Sequence, residues 1–173
     1  MNAVATSVRV EEYLATSYDP DCEFVDGHIL ERNLGKREHS ILQDEILAFF
    51  RDRRKLLRLR AFPEHRIQVG PTRFRVPDVT VMHLPVPDEP VITTPPYICI
   101  EILSPEDTVS RMRERVDDYK KMGVENIWLI DSMTLAAYIA TSAGLLDVTD
   151  GVLRTRDGKV EMPISSLRTE YDA

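Results

Sequence analysis

Two carboxylates occupy apolar surroundings on consecutive predicted strands of this sequence. Asp78 follows a proline at the start of the run "VTVMHL", and Glu101 lies between Ile100 and Ile102 in the run "YICIEIL". A buried carboxylate is costly unless it has a hydrogen-bonded cation, a proton or a metal ion as its partner. These two positions are therefore the first candidates for chemistry.

A divalent cation is one partner that both carboxylates can share. Neighbouring strands lie about 5 Å apart, so two carboxylates at matching positions can reach one point between them. Two carboxylates, a main-chain carbonyl such as that of Ile102 and several waters form an oxygen site that suits Mg²⁺ or Mn²⁺. Such a cation activates water and stabilises charge on a phosphate. We therefore predict that Asp78, Glu101 and Ile102 hold Mg²⁺ or Mn²⁺.

The predicted helix that follows Glu101 offers a cation to the same point. A helix rises about 1.5 Å per residue, so the residues level with Glu101 lie several positions into it, near Arg111 to Arg115. Arg111, Arg115 and Tyr119 are spaced four residues apart and share one face. Arg115 is thus a candidate to hold a substrate phosphate or an oxygen of the transition state.

Structural roles for the two carboxylates stay open at this point. Asp78 can cap backbone amides at the strand start, or pair with Arg73 or Arg75. Glu101 can form a buried ion pair with an arginine of the next helix. Neither role explains why both carboxylates occur on successive strands beside a helix that carries arginines.

The N-terminal half of the chain predicts helices and hairpins. A short helix is expected in "RVEEYLATS", and Asp26-Gly27 between two β-prone runs predicts a hairpin. A long helix follows in "HSILQDEILAFFRDRRKLL", with Ser40 and Gln43 as a possible capping box. A second hairpin is expected around Gly70-Pro71-Thr72, between "HRIQVG" and "FRVPDVTVMHL".

The C-terminal half predicts a crossover unit. The strand "YICIEIL" leads into a helix with Ser104 as its N-cap and Gly123 at its end, and the strand "ENIWLID" follows. Strand, helix and strand in this order favour two parallel strands. "TLAAYIA" is expected to return antiparallel, and Asp-Gly turns join short strands in the tail. The sequence predicts one α/β domain over residues 1–173, a mixed sheet with helices packed against it.

The order of these motifs resembles a known family. "VPDVTVM", then "PPYICIEILSPED", then "DDYKKMGVENIWLID" look like the Uma-type family of restriction-endonuclease-like proteins, within the PD-(D/E)XK nuclease superfamily. The resemblance runs from "CEFVDGHILE" to "MPISSL", which is most of the chain. It implies a restriction-endonuclease-like fold, a mixed central β-sheet flanked by helices. It also implies an endonuclease that hydrolyses DNA with Mg²⁺ or Mn²⁺, and a homodimer as one expected assembly.

The resemblance also assigns residues. It implies that Asp78 and Glu101 are metal ligands, and it adds His39, ahead of the long helix, and Glu23, in the first hairpin, as members of the site. Residue type and position alone favour other roles for these last two. A histidine at a helix start is more often a cap or a surface residue, and a glutamate in a hairpin is more often exposed.

One position departs from the superfamily pattern. Leu103 stands two residues after Glu101, where the superfamily motif has a lysine. In the Uma-type family the lysine role moves to the following helix, at the position that Arg115 fills here. Arginine keeps the charge but does not act as a general base. A second hypothesis therefore stays open, in which the domain has lost useful catalysis and serves as a nucleic-acid-binding or protein-interaction module.

Composition excludes several classes of protein. A net charge of -7 argues against a protein that coats nucleic acid electrostatically. The basic run "RDRRKLLRLR" is expected to be a solvated helix end, with a phosphate-contact patch as the alternative. No apolar run approaches the ~20 residues of a membrane span. There is no G-x-S-x-G motif and no zinc-ligand spacing. Two cysteines and no signal-peptide pattern favour a reduced, cytoplasmic protein.

Overall fold

The computed structural model describes residues 7–32 and 35–167. Within them the helices are α1 (Val10–Ala15), α2 (Arg37–Asp52), α3 (Arg54–Leu57), α4 (Val109–Met122) and a 3₁₀ helix (Ile164–Leu167). The strands are β1 (Glu23–Val25), β2 (His28–Leu30), β3 (Leu59–Pro63), β4 (Ile67–Gly70), β5 (Arg73–Arg75), β6 (Val79–His83), β7 (Ile98–Leu103), β8 (Asn126–Asp131), β9 (Ala137–Thr141), β10 (Gly144–Asp147), β11 (Val152–Arg154) and β12 (Glu161–Pro163). This is the α/β class that the sequence predicts.

The main sheet has six strands in the order β10-β9-β8-β7-β6-β3. Strands β7 and β8 are parallel and are joined by α4, which confirms the predicted crossover. Strand β9 returns antiparallel beside β8, and β6 lies antiparallel to β7. The strands that carry the two candidate carboxylates are therefore direct neighbours.

A smaller sheet has the order β2-β1-β5-β4. Its first hairpin turns at Asp26-Gly27, as predicted, and both residues have positive φ angles, of 48° and 91°. The expected second hairpin also forms between β4 and β5. The predicted strand "FRVPDVTVMHL", however, is wrong as a single element: β5 and β6 belong to different sheets. Pro77, between them, has no N–H to donate to a strand ladder, so the chain changes sheet there.

Two apolar clusters sandwich the main sheet. On one side α2 packs its buried residues against alternate strand residues; this cluster includes Ile46, Phe50, Val79, Val81, Ile98, Ile100 and Trp128. On the other side α4 packs against the remaining residues; this cluster includes Cys99, Val116, Tyr119, Ile127 and Leu129. The period-two alternation of the strands thus decides which side chains face α4.

The predicted helix caps need correction. Helix α4 begins after Thr108, whose hydroxyl accepts the Arg111 N–H, rather than after Ser104. The Ser104 N–H and hydroxyl instead donate to Asp107, which holds the turn between β7 and α4. The predicted capping box in the long helix is also wrong, because α2 begins at Arg37 and Gln43 donates its amide to the main-chain carbonyl of Asp78.

Several surface features follow the sequence. Arg54 and Lys55, in α3, and Arg58, directly after α3, are exposed, as expected of a solvated helix end. The tail forms the two-stranded sheet β11-β12. Cys22 and Cys99 are both free and buried. Among the described residues, no helix is long and apolar enough to cross a bilayer.

A buried ion cluster joins the small sheet to α4. The guanidinium of Arg75, on β5, is 2.8 Å from Glu23 and 2.7 Å from Asp118 on α4, and all three side chains are at most 3% exposed. Arg73 adds contacts to Asp118 and to Glu114. Because the carboxylates have little access to water, Arg75 is the cation that makes their burial tolerable.

We expect Leu59→Ala to lower the free energy of unfolding by about 2–5 kcal/mol, because it leaves a cavity at a fully packed site. Leu59 is 1% exposed in the α2-side core. Leu56→Ala removes the same atoms at a position that is 82% exposed, and should change stability by no more than about 0.5 kcal/mol. Urea denaturation of both variants measures this difference, and equal losses would contradict the described packing.

We expect Arg75→Met to lower the free energy of unfolding by about 3–5 kcal/mol, because it removes the buried guanidinium that Glu23 and Asp118 share. The control is Arg154→Met, which removes an arginine whose pairs with Asp150 and Glu161 lie at the surface. It should leave the denaturation midpoint unchanged. A small loss in both variants would show that the cluster is open to water.

Candidate active site

A polar pocket lies where β6 and β7 meet the N-terminal parts of α2 and α4. Its volume is about 340 Å³, including its open mouth. The charged and titratable side chains that line it are Arg32, His39, Asp78, Glu101, Asp107 and Arg115. The pocket therefore combines three carboxylates with two guanidinium groups and an imidazole.

The register of β6 and β7 brings Asp78 and Glu101 together. Val79 pairs with Ile100 in the antiparallel ladder, so the next position along places Asp78 opposite Glu101. Both carboxylates line the same pocket, and they are only 5% and 4% exposed. The alternation that turns Val79 and Ile100 toward α2 turns their neighbours toward the other side of the sheet.

Asp78 is held as a carboxylate by its surroundings. Its Oδ1 atom accepts a hydrogen bond of 2.7 Å from Arg32 and lies 3.2 Å from His39 Nε2, while Oδ2 accepts the Ile102 N–H at 2.7 Å. Burial opposes ionisation, but the His39 hydrogen bond and the charges of His39 and Arg32 keep the pKa of Asp78 below its usual value. Its arginine partner is Arg32 and not Arg73 or Arg75.

Glu101 is less well neutralised than Asp78. The hydroxyl of Tyr119 donates to Oε1, and Arg115 lies 3.4 Å from Oε2. Burial raises the pKa of Glu101 to about 7; the guanidinium of Arg115 opposes the rise, and the negative charge of Asp78 adds to it. The expected ion pair with a helix arginine is present, and it leaves the carboxylate short of positive charge.

Arg115 connects the pocket to the ion cluster behind it. Its side chain, 13% exposed, lies 3.4 Å from Glu23, 3.4 Å from Glu101 and 3.7 Å from Asp107. Glu23 is buried rather than exposed, and its main partner is Arg75. It therefore neighbours the pocket without lining it.

The predicted site residues thus fall into two groups: those that line the pocket, and Glu23, which lies behind it. Asp78, Glu101, Arg115 and His39 line one pocket, and the main-chain N–H of Ile102 contacts Asp78. The sequence pattern did not single out Arg32 or Asp107, and it placed Tyr119 on the face of Arg115 without assigning it to the site. Arg32 lies 46 positions from Asp78 in a segment without regular structure, so no periodic pattern points to it. The hydrogen bond from Tyr119 to Glu101 agrees with the helix face that Tyr119 shares with Arg115.

The oxygen atoms of the pocket suit a hard divalent cation. Within residues 7–32 and 35–167, no group of three or more His, Cys, Asp or Glu side chains is arranged to hold a metal ion. Mg²⁺, however, is commonly bound by one or two carboxylates together with waters and substrate phosphates. The two adjacent carboxylates of Asp78 and Glu101, the second short of positive charge, fit that kind of ligand set.

Comparison with known proteins agrees with this fold. A crystal structure entitled a "putative nuclease belonging to DUF820" from Anabaena variabilis ATCC 29413 superposes with a TM-score of 0.78. The match covers 92% of this chain and 97% of the other, at 22% sequence identity, so it shows a shared fold. No curated protein sequence matches the chain.

A family model matches the sequence itself. The Uma2 family, described as "Putative restriction endonuclease", matches residues 10–148. That range contains both sheets' central strands, α2, α4 and every side chain named in the pocket. The chain therefore belongs to the Uma2 family of restriction-endonuclease-like proteins.

Proposed function

We propose that this protein is a metal-dependent endonuclease that hydrolyses phosphodiester bonds of DNA. The observation that carries the proposal is the pair of buried carboxylates, Asp78 and Glu101, on adjacent strands of one arginine-lined pocket. Structural ion pairs alone would not explain two buried carboxylates side by side. Each negative charge raises the free-energy cost of burying the other. Membership of a restriction-endonuclease-like family supports the same reaction class.

In this proposal Asp78 and Glu101, with the carbonyl of Ile102, hold Mg²⁺ or Mn²⁺. When bound, the cation would lower the pKa of water and stabilise negative charge on the phosphoryl oxygens. His39 and Arg32 keep Asp78 ionised, and Tyr119 fixes one oxygen of Glu101. These contacts orient the two carboxylates toward the pocket.

Arg115 has the role of binding phosphate in this mechanism. Its guanidinium is held beside Glu101 by Glu23 and Asp107, so it is oriented before substrate arrives. Arginine stays protonated and makes two parallel hydrogen bonds to a phosphate, which suits charge stabilisation and excludes proton abstraction. Leu103, at the position of the superfamily lysine, packs with the α4-side core instead.

The alternative function is a nuclease-fold binding module without useful catalysis. It is favoured by Leu103 and by the arginines that already pair with the carboxylates.

The endonuclease proposal also includes DNA as the substrate, a cytoplasmic location and a homodimer. The two free, buried cysteines agree with a reducing compartment, and the mass of the protein in solution tests the homodimer.

Calorimetric titration with Mn²⁺ tests the metal site. We expect saturable binding by the wild type and its loss in Asp78→Asn and in Glu101→Gln, because each variant removes one negatively charged ligand. Asp147→Asn and Glu125→Gln make the same chemical changes at exposed positions and should bind like the wild type. Absence of saturable binding by the wild-type protein would overturn the proposed metal site.

Cleavage of supercoiled plasmid DNA and of circular single-stranded DNA, with Mn²⁺, tests Arg115. We expect Arg115→Met to lower the cleavage rate roughly 100-fold, because a charged donor to the transition state is lost, while saturable Mn²⁺ binding persists. Arg113→Met, on the exposed side of α4, is the control and should cleave at the wild-type rate. Equal rates in both variants would show that Arg115 has only a structural role.

A further inference from the structure

Arg32 lies between a buried carboxylate and a half-exposed one. Its Nη2 atom donates to Asp78 Oδ1 at 2.7 Å, and its Nη1 atom is 3.3 Å from Glu64 Oε1. The side chains of Arg32, Asp78 and Glu64 are 9%, 7% and 45% exposed, respectively. The guanidinium therefore has one partner inside the pocket and one toward solvent.

The position of Glu64 is maintained by an unusual backbone conformation. Glu64 has a φ angle of 47°, in the left-handed region that residues other than glycine seldom adopt. Its N–H donates to the main-chain carbonyl of Asp78 at 3.2 Å. Such conformations persist where surrounding contacts fix them, and they concentrate at functional sites. The two carboxylates that share Arg32 are thus tied together through the main chain.

Three protein donors use most of the acceptor capacity of the Asp78 carboxylate. Oδ2 accepts the Ile102 N–H, and Oδ1 receives both Arg32 and His39. A cation that binds Oδ1 must compete with the Arg32 guanidinium, and the positive charge of Arg32 repels a cation at either oxygen. Glu64 gives Arg32 a second partner, so leaving Asp78 does not leave the guanidinium unpaired.

We propose that Arg32 is an exchangeable counter-cation of the active site, which occupies Asp78 until a divalent metal ion replaces it. This inference rests on the proposed metal-dependent function. Arg32 neutralises Asp78 in the metal-free protein, so the pocket folds without an uncompensated buried charge. After exchange Arg32 stays paired with Glu64 at the pocket mouth, where its free guanidinium edge can contact a phosphodiester. Arg32 is thus a positioning residue that links metal binding to substrate binding.

Mn²⁺ titration of Arg32→Met tests the exchange directly. We expect R32M to bind Mn²⁺ on the order of tenfold more tightly than the wild type, because the competing cation is gone. Thermal melts should show a less stable metal-free R32M and a larger increase in Tm on adding Mn²⁺. Arg111→Met is the control, since the Arg111 side chain donates to the main-chain carbonyl of Glu31, at 3.4 Å. It should change the affinity less than R32M.

The results separate the inference from the function on which it rests. Equal or weaker Mn²⁺ binding by R32M, with saturable binding by the wild type, overturns the exchange and leaves the proposed function standing. Absence of Mn²⁺ binding by both proteins overturns both proposals. Tighter binding by R32M than by the wild type, abolished in the double variant R32M/D78N, supports the exchange at Asp78.

A second variant decides the matter if R32M does not fold. Glu64→Gln removes the outer partner of Arg32, so the guanidinium should remain on Asp78 and weaken Mn²⁺ binding. Glu106→Gln is its matched control: Glu106 is 47% exposed and adjoins the pocket residue Asp107. Weaker binding by E64Q than by E106Q supports the exchange, and equal affinities overturn it.

Discussion

Burial of negative charge is the constraint around which this structure is arranged. Among the described residues, the buried carboxylates are Glu23, Asp78, Glu101 and Asp118. A lone buried carboxylate would cost several kcal/mol, about the size of the whole stability margin of a small domain. The guanidinium groups that offset this cost are those of Arg32, Arg75 and Arg115. Arg32 lies in the irregular segment after β2, Arg75 on β5 and Arg115 on α4, so the charges are compensated only when these parts are assembled with the main sheet.

The three arginines differ in how firmly they are held. Arg75 is 2% exposed and lies between two carboxylates that are equally buried, so it is a permanent part of the core. Arg115 is slightly more open and faces the pocket. Arg32 has one partner inside and one at the surface. Arg75 therefore contributes to folding, whereas exchange with a metal ion is proposed for Arg32 alone.

The replacement of lysine by arginine is consistent with this network. Leu103 packs in the α4-side core, so a charged side chain there would have needed its own buried partner. A guanidinium reaching from the helix satisfies Glu23 and Glu101 at once, which a lysine with its compact ammonium group does less well. The same geometry that suits two carboxylates suits a phosphate. Structural compensation and phosphate binding therefore make the same demand on Arg115.

The local pattern of the sequence determined most of the elements, the parallel pair of β7 and β8, and the two carboxylates that line the pocket. Alternation in "YICIEIL" and the crossover through α4 required Glu101 to face the helix, and the four-residue spacing brought Arg115 and Tyr119 to it. These conclusions rest on the two-residue period of a strand and the four-residue spacing of a helix, which can be read from the sequence directly.

Only the tertiary structure decided the partners that come from irregular or distant segments. Arg32 and Glu64 meet Asp78 through loops, where no repeating geometry links sequence separation to distance. The break between β5 and β6 at the proline, and the burial of Glu23, likewise depend on how two sheets pack. Residue spacing fixes the directions of side chains within one helix or strand. Charge compensation between elements is set by packing, because a buried ion pair forms only where the assembled fold excludes water from it.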